Sequence, residues 1–133
     1  MTERIAREME LLRSVFPDAE YHEVEGGWIR IPRYTVQHGG WAPGVVEVCF
    51  QVPAGYPGNA PYAFWVSPPL RLAADNRAPV NNYQEPSPTP LPGTWAKFSW
   101  SHLDSWQPGP EPESGSNFLN FVLSFRDRFG EGP

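Results

Sequence analysis

Ser99, Ser101, His102 and Asp104 lie within six consecutive positions of the run Trp95-Ala-Lys-Phe-Ser-Trp-Ser-His-Leu-Asp-Ser-Trp106. A serine hydroxyl is a weak nucleophile until a base removes its proton. Histidine is suited to that work near neutral pH, and a carboxylate can hold the imidazole in the useful orientation. Ser99 and His102 meet if the chain makes a single turn. Ser101 and His102 meet only if the segment bends, because neighbours on an extended strand point to opposite faces. The bland alternative has surface hydroxyls at Ser99, Ser101 and Ser105, with His102 capping a carbonyl. Both readings stand on the sequence.

Other reactive residues are sparse. Cys49 is the single cysteine. This excludes an internal disulfide and a cysteine-based zinc site. It falls in the apolar run Val45–Val52, flanked by Glu47 and Gln51. Cysteines in such settings behave as small hydrophobes, and no positive neighbour favours a thiolate. The histidines His22, His38 and His102 are scattered without metal-ligand spacing. Gly39-Gly40 lacks the frame of a phosphate loop. No cofactor and no metal is expected.

The elements that must position the serines follow from periodicity. Ile5, Met9, Leu12 and Phe16 form one apolar helical stripe, with Thr2 as the N-cap and Pro17 as the stop. Tyr21–Val24 and Trp28–Ile31 flank Glu25-Gly-Gly27 as a hairpin. In Val45–Val52, Val46, Val48, Phe50 and Val52 share one strand face. Tyr62–Ser67 is a fourth strand. Phe118, Phe121, Val122, Phe125 and Phe129 repeat a helical stripe, with Gly130 as its C-cap.

Most of the 17 prolines lie between Pro53 and Pro112. That composition excludes regular helix there. Gln84–Gly93, with Pro86, Pro88, Pro90 and Pro92 at alternate positions, reads as an extended Pro-rich surface loop. The whole is a single α+β domain over 1–133, with a helix, a four-stranded antiparallel meander, an irregular Pro-rich region carrying the Ser/His stretch, and a C-terminal helix.

Composition bounds the partners. Apolar residues make up 40% of the chain, enough for a packed core, and the net charge is −5. An acidic domain is a poor match for nucleic acid or an anionic membrane surface. The N-terminus carries no apolar leader, and no run reaches membrane-spanning length, so a cytoplasmic protein is expected. Most tryptophans are expected in the core. Trp41 and Trp100, set among glycines and serines, are the two most expected at a partner surface.

Several motifs stand in a telling order: Val52-Pro53, Tyr56-Pro57, Pro61, then Trp106-Gln-Pro108-Gly109 before the C-terminal helix. With the helix–meander–irregular–helix layout, this order resembles the E2 fold of ubiquitin-conjugating enzymes. The Ser/His stretch Ser99, Ser101, His102 before Trp-x-Pro-Gly is similar to the divergent prokaryotic E2 family called family E. The resemblance spans roughly residues 2 to 129. It implies a ubiquitin-like protein and an E1-like adenylating enzyme as partners.

The chain departs from ordinary E2 enzymes in two respects. Where they hold the catalytic cysteine, this chain has Phe98 with Ser99 and Ser101 beside it. Their His-Pro-Asn motif is missing, and Asn81-Asn82 lies only in its general region. The resemblance therefore implies one of two roles. Either Ser101 or Ser99 carries the modifier as an oxyester, with His102 as base and Asp104 orienting it, or the domain is a non-catalytic E2 variant that binds a ubiquitin-like protein or E1-like partner. An unrelated α+β peptide- or ligand-binding domain is the third possibility.

Overall fold

The architecture comes from a computed structural model, which describes residues 1–101 and 106–133. The N-terminal stripe folds as helix α1, Glu3–Arg13, and the Thr2 hydroxyl accepts from the Ile5 amide at 3.1 Å. This capping satisfies one of the amides a helix start leaves orphaned. Ile5, Met9 and Leu12 are buried in one core cluster with Val46, Val48 and Phe50. Leu12 is fully buried. Leu12→Ala is therefore expected to cost about 2–5 kcal/mol, through lost transfer energy and the cavity left behind. Urea unfolding checks this, and an unchanged midpoint would mean that the helix is not docked.

Among the described residues eight strands follow: β1 Glu20–His22, β2 Trp28–Thr35, β3 Trp41–Ala42, β4 Val45–Gln51, β5 Tyr62–Ser67, β6 Arg71–Leu72, β7 Tyr83–Gln84 and β8 Ala96–Ser101. Six of them make one sheet in the order β1-β2-β4-β5-β8-β7, and β3 pairs with β6 apart from it. All pairings are antiparallel. The four expected strands correspond to β1, β2, β4 and β5. The expectation of a four-stranded sheet is corrected to six, because β8 adds beside β5 and β7 beside β8. The stretch read as irregular thus contains a strand. Ala96, Phe98 and Trp100 alternate with Lys97, Ser99 and Ser101, which is the period of a half-buried strand.

The C-terminal stripe is helical but broken. Helix α2, Phe118–Leu123, ends at Ser124, and α3, Phe125–Gly130, begins there. Gly130 is the last residue of α3, and Glu131 stands at the cap position assigned to the glycine. Phe118, Phe121, Phe125 and Phe129 are buried against the sheet core. Phe64 stacks on Phe125 with ring centroids 3.9 Å apart, and Phe50 meets Phe121 edge-on at 5.1 Å.

The sheet's other face carries a second cluster of Trp28, Cys49, Leu91 and Trp95, with Trp65 packed against it. The Pro-rich stretch contributes to covering it. Within Gln84–Gly93 most side chains are exposed, but Leu91 and Ser87 turn inward. The Ser87 hydroxyl accepts from the Trp65 indole at 3.0 Å, and the Leu91 carbonyl accepts from the Trp95 indole at 3.2 Å. Two tryptophans expected at a partner surface are instead structural. Trp41 is buried and donates to the Phe129 carbonyl at 3.2 Å. Trp100 is half-buried against the main core and donates to the Ser124 hydroxyl at 3.0 Å. Among the described residues no helix is long and apolar enough to cross a membrane.

Candidate active site

Ser99 and Ser101 are among the last three residues of strand β8, and both are half-buried. The Ser99 amide donates to the Asn82 carbonyl at 2.8 Å. Ser101 lies opposite Tyr62, whereas Phe98 lies opposite Phe64. Two steps along β5 thus face three along β8, a bulge in which Ser99 and Trp100 stand opposite Ala63, with Ser101 the first paired residue beyond it. Bulges of this kind re-aim side chains and end strand pairing. Ala63, across from the bulge, has a φ of 68°, in the left-handed region that non-glycine residues rarely occupy. Among the described residues no side chain hydrogen-bonds either hydroxyl. His102 and Asp104, the other two candidate catalytic residues, lie outside the described residues.

The far side of that segment is anchored. The Trp106 indole donates to the Pro57 carbonyl at 2.9 Å, and its ring lies 5.9 Å from that of Tyr56. The Tyr-Pro and Trp-x-Pro motifs, 49 residues apart, therefore form a single contact. Gln107 and Ser116 exchange two bonds of 2.9 Å, one from the Gln107 amide to the Ser116 hydroxyl and one from the Ser116 amide to the Gln107 carbonyl. The described residues that flank 102–105 in the sequence are therefore a strand end and a pinned tryptophan. A polar cleft of about 350 Å³ opens beside Trp106, with Ser116, Asn120 and Asp127 in its wall.

Beneath this junction sits a group that sequence reasoning missed. Glu8 is fully buried in α1. Its carboxylate accepts from the Tyr56 hydroxyl at 2.6 Å, the Phe118 amide at 2.9 Å and Arg4 Nε at 3.0 Å. Arg4 also donates to the Gly109 carbonyl at 2.7 Å. Tyr56 stacks on Phe118 at 4.3 Å. Burial, and then the neighbouring Glu8 carboxylate, push the Tyr56 phenol well above its ordinary pKa, so it stays a donor. One carboxylate thus ties α1, the Tyr-Pro turn, the start of α2 and the loop after Trp106. The signal was present in the sequence, since Glu8 occupies a stripe position three residues after Ile5 and four before Leu12.

Cys49 is fully buried between Trp28, Leu91 and Trp95. Burial pushes its thiol far above the ordinary range, which suppresses the reactive thiolate. Native protein is accordingly expected to resist iodoacetamide while unfolded protein is alkylated. Rapid labelling of the native fold would contradict the burial.

The family model described as Prokaryotic E2 family E matches residues 11–112. The chain belongs to prokaryotic E2 family E. The match includes the Tyr-Pro turn, β8 and Trp106-Gln-Pro108, so the contact between Trp106 and Pro57 falls inside it, whereas Arg4, Glu8 and Phe118 lie outside it. Neither the curated proteins nor the solved structures contain a match.

Proposed function

We propose that this chain is the E2-like component of a bacterial ubiquitin-like protein conjugation pathway. In this reading an E1-like adenylating enzyme activates the C-terminus of the ubiquitin-like protein, and the chain receives it as an oxyester on Ser101 or Ser99. The serine oxygen attacks the activated acyl carbon. The new C–O bond replaces the bond to the E1 thiolate or to the adenylate phosphate, and the hydroxyl proton passes to His102. Asp104 orients the imidazole and stabilises its charged form.

The observation that carries the reading is the contrast between the chain's only cysteine and its two strand-end serines. Cys49 lies sealed inside the sheet, while Ser99 lies in a bulge and Ser101 is the last residue of β8, both half-buried. They lie just upstream of the Trp106 that grips the Tyr-Pro turn. An alkoxide leaves less readily than a thiolate, so an oxyester makes a slower and longer-lived carrier than a thioester.

One observation favours a second reading, a non-catalytic scaffold that binds a ubiquitin-like protein or an E1-like partner. The chain's only cysteine, the residue type ordinary E2 enzymes use as nucleophile, is sealed inside the sheet. The two readings separate by peptide mapping. The chain is incubated with its E1-like enzyme, ATP and the ubiquitin-like protein, then digested and examined by mass spectrometry. The proposal expects the modifier's C-terminal remnant on the peptide containing Ser99 and Ser101, and its loss in one of the two single alanine variants. Stoichiometric binding with no remnant on any serine would replace the proposal with the scaffold.

A further inference from the structure

Next to the cleft, and sharing Leu123 and Arg126 with it, lies an unassigned groove of about 400 Å³. It lies between the end of α1, the second half of β2, and α2 with the start of α3. Its apolar lining is Val15, Phe16 and Leu123. Val15 is 50% exposed and Leu123 is 42% exposed, and both are large hydrophobic side chains open to water. Such side chains scattered singly need no explanation, but two in one groove mark an interaction surface. The groove is also preformed. Phe16 stacks against Tyr34 at 6.1 Å, and Tyr34 packs on Phe125 at 6.1 Å, so its floor is the core itself.

Its charge is opposite to that of the molecule. Arg33 and Arg126 both line it, in a chain of net charge −5. Arg126 is exposed, and no carboxylate lies within ion-pair distance of it among the described residues. The only described partner of Arg33 is Asp18 at 3.5 Å, and these side chains are 80% and 59% exposed. A pair so open contributes little and yields readily to a better partner. The strand edge beside the groove is open too, because β1 pairs with β2 only over Trp28–Arg30 and leaves Arg33 and Thr35 beyond its reach.

We propose that this groove docks an acidic, aliphatic peptide segment of a protein partner. Aliphatic side chains would lie on Val15, Phe16 and Leu123, and flanking carboxylates would meet Arg33 and Arg126. Charge complementarity of this kind sets specificity and association rate. The groove uses none of the residues assigned to the ester, so the proposal stands or falls independently of that chemistry.

The test is an NMR titration of the isotope-labelled chain with two twelve-residue peptides, one of alternating glutamate and leucine and one of alternating lysine and leucine. The glutamate peptide is expected to shift the amides of Val15, Arg33, Leu123 and Arg126, with affinity that falls as salt rises. The double variant Arg33→Glu/Arg126→Glu is expected to weaken it about tenfold or more. Both arginines are exposed, so that variant should fold, and its own spectrum confirms this. Three outcomes overturn the proposal: equal binding of the lysine peptide, shifts confined to other surfaces, or an affinity indifferent to charge reversal. Concentration-dependent self-association that Leu123→Glu removes would also overturn it and assign the groove to a second copy of the chain.

Discussion

Glu8→Ala is expected to lower unfolding free energy by about 3–5 kcal/mol, the usual scale when one member of a buried charged pair is removed. Three donors lose their acceptor at once: Arg4 Nε, the Tyr56 hydroxyl and the Phe118 amide. The side chain of Arg4 is only 17% exposed, so its charge cannot regain full hydration. The desolvation cost of each unpaired group falls on the folded state alone. Glu8→Gln should recover part of the loss, because its amide oxygen still accepts while its amino group opposes the remaining donors. Tyr56→Phe should cost about 1 kcal/mol, since it removes one donor and leaves the other two satisfied. Denaturant unfolding of the three variants checks the order. A Glu8→Ala change below about 1 kcal/mol would show that the carboxylate does not hold the junction together.

The second large effect concerns the chemistry. His102→Ala is expected to lower modifier transfer about 10²–10⁴-fold, the usual scale for a lost general base. Ser101 ends β8, His102 is the next residue, and Trp106 fixes the other end of the segment on Pro57. Added imidazole should restore part of the rate in His102→Ala, because a free base can replace the missing one. His102→Gln keeps a polar side chain without the base and should stay slow. Wild-type rates in both variants, with unfolding unchanged, would remove His102 from the mechanism.

Local physics made much of the fold legible. The α1 stripe, its Thr2 cap and the Val46, Val48, Phe50 face are statements about periods of 3.6 and 2, and they survive because the core those residues need is the one they build. Strand β8 was equally periodic, with Ala96, Phe98 and Trp100 alternating against Lys97, Ser99 and Ser101. Its pairing with β5 is non-local, no hairpin turn announces it, and the surrounding prolines point to irregular chain. The inward turn of Ser87 and Leu91 was hidden for a related reason. Alternating prolines specify an extended backbone but do not say what it lies against. The break at Ser124 has no marker in the apolar stripe, which continues unbroken from Phe121 to Phe125.

The candidate site was legible in its motifs but not in their contact. Tyr56-Pro57 and Trp106-Gln-Pro108 could each be read alone, whereas the bond from the Trp106 indole to the Pro57 carbonyl is a tertiary fact. Ser99 and Ser101 could be proposed from their nearness to His102. The bulge at Ser99 and Trp100 depends on the register of β8 against β5, which one chain's sequence does not reveal. Glu8 was overlooked because a glutamate on a helix is ordinarily solvated. Only the convergence of Arg4, Tyr56 and Phe118 explains why this one is buried.

The most direct test of the oxyester is the chemistry of the adduct. The chain, its E1-like enzyme, ATP and the ubiquitin-like protein are combined, and the product is run on a denaturing gel after treatment with thiol reductant or with hydroxylamine. The account predicts a band that survives reductant, disappears with hydroxylamine, persists in Cys49→Ala and is absent from the Ser99→Ala/Ser101→Ala double variant. A band cleaved by reductant, or one that persists in the double serine variant, would contradict it.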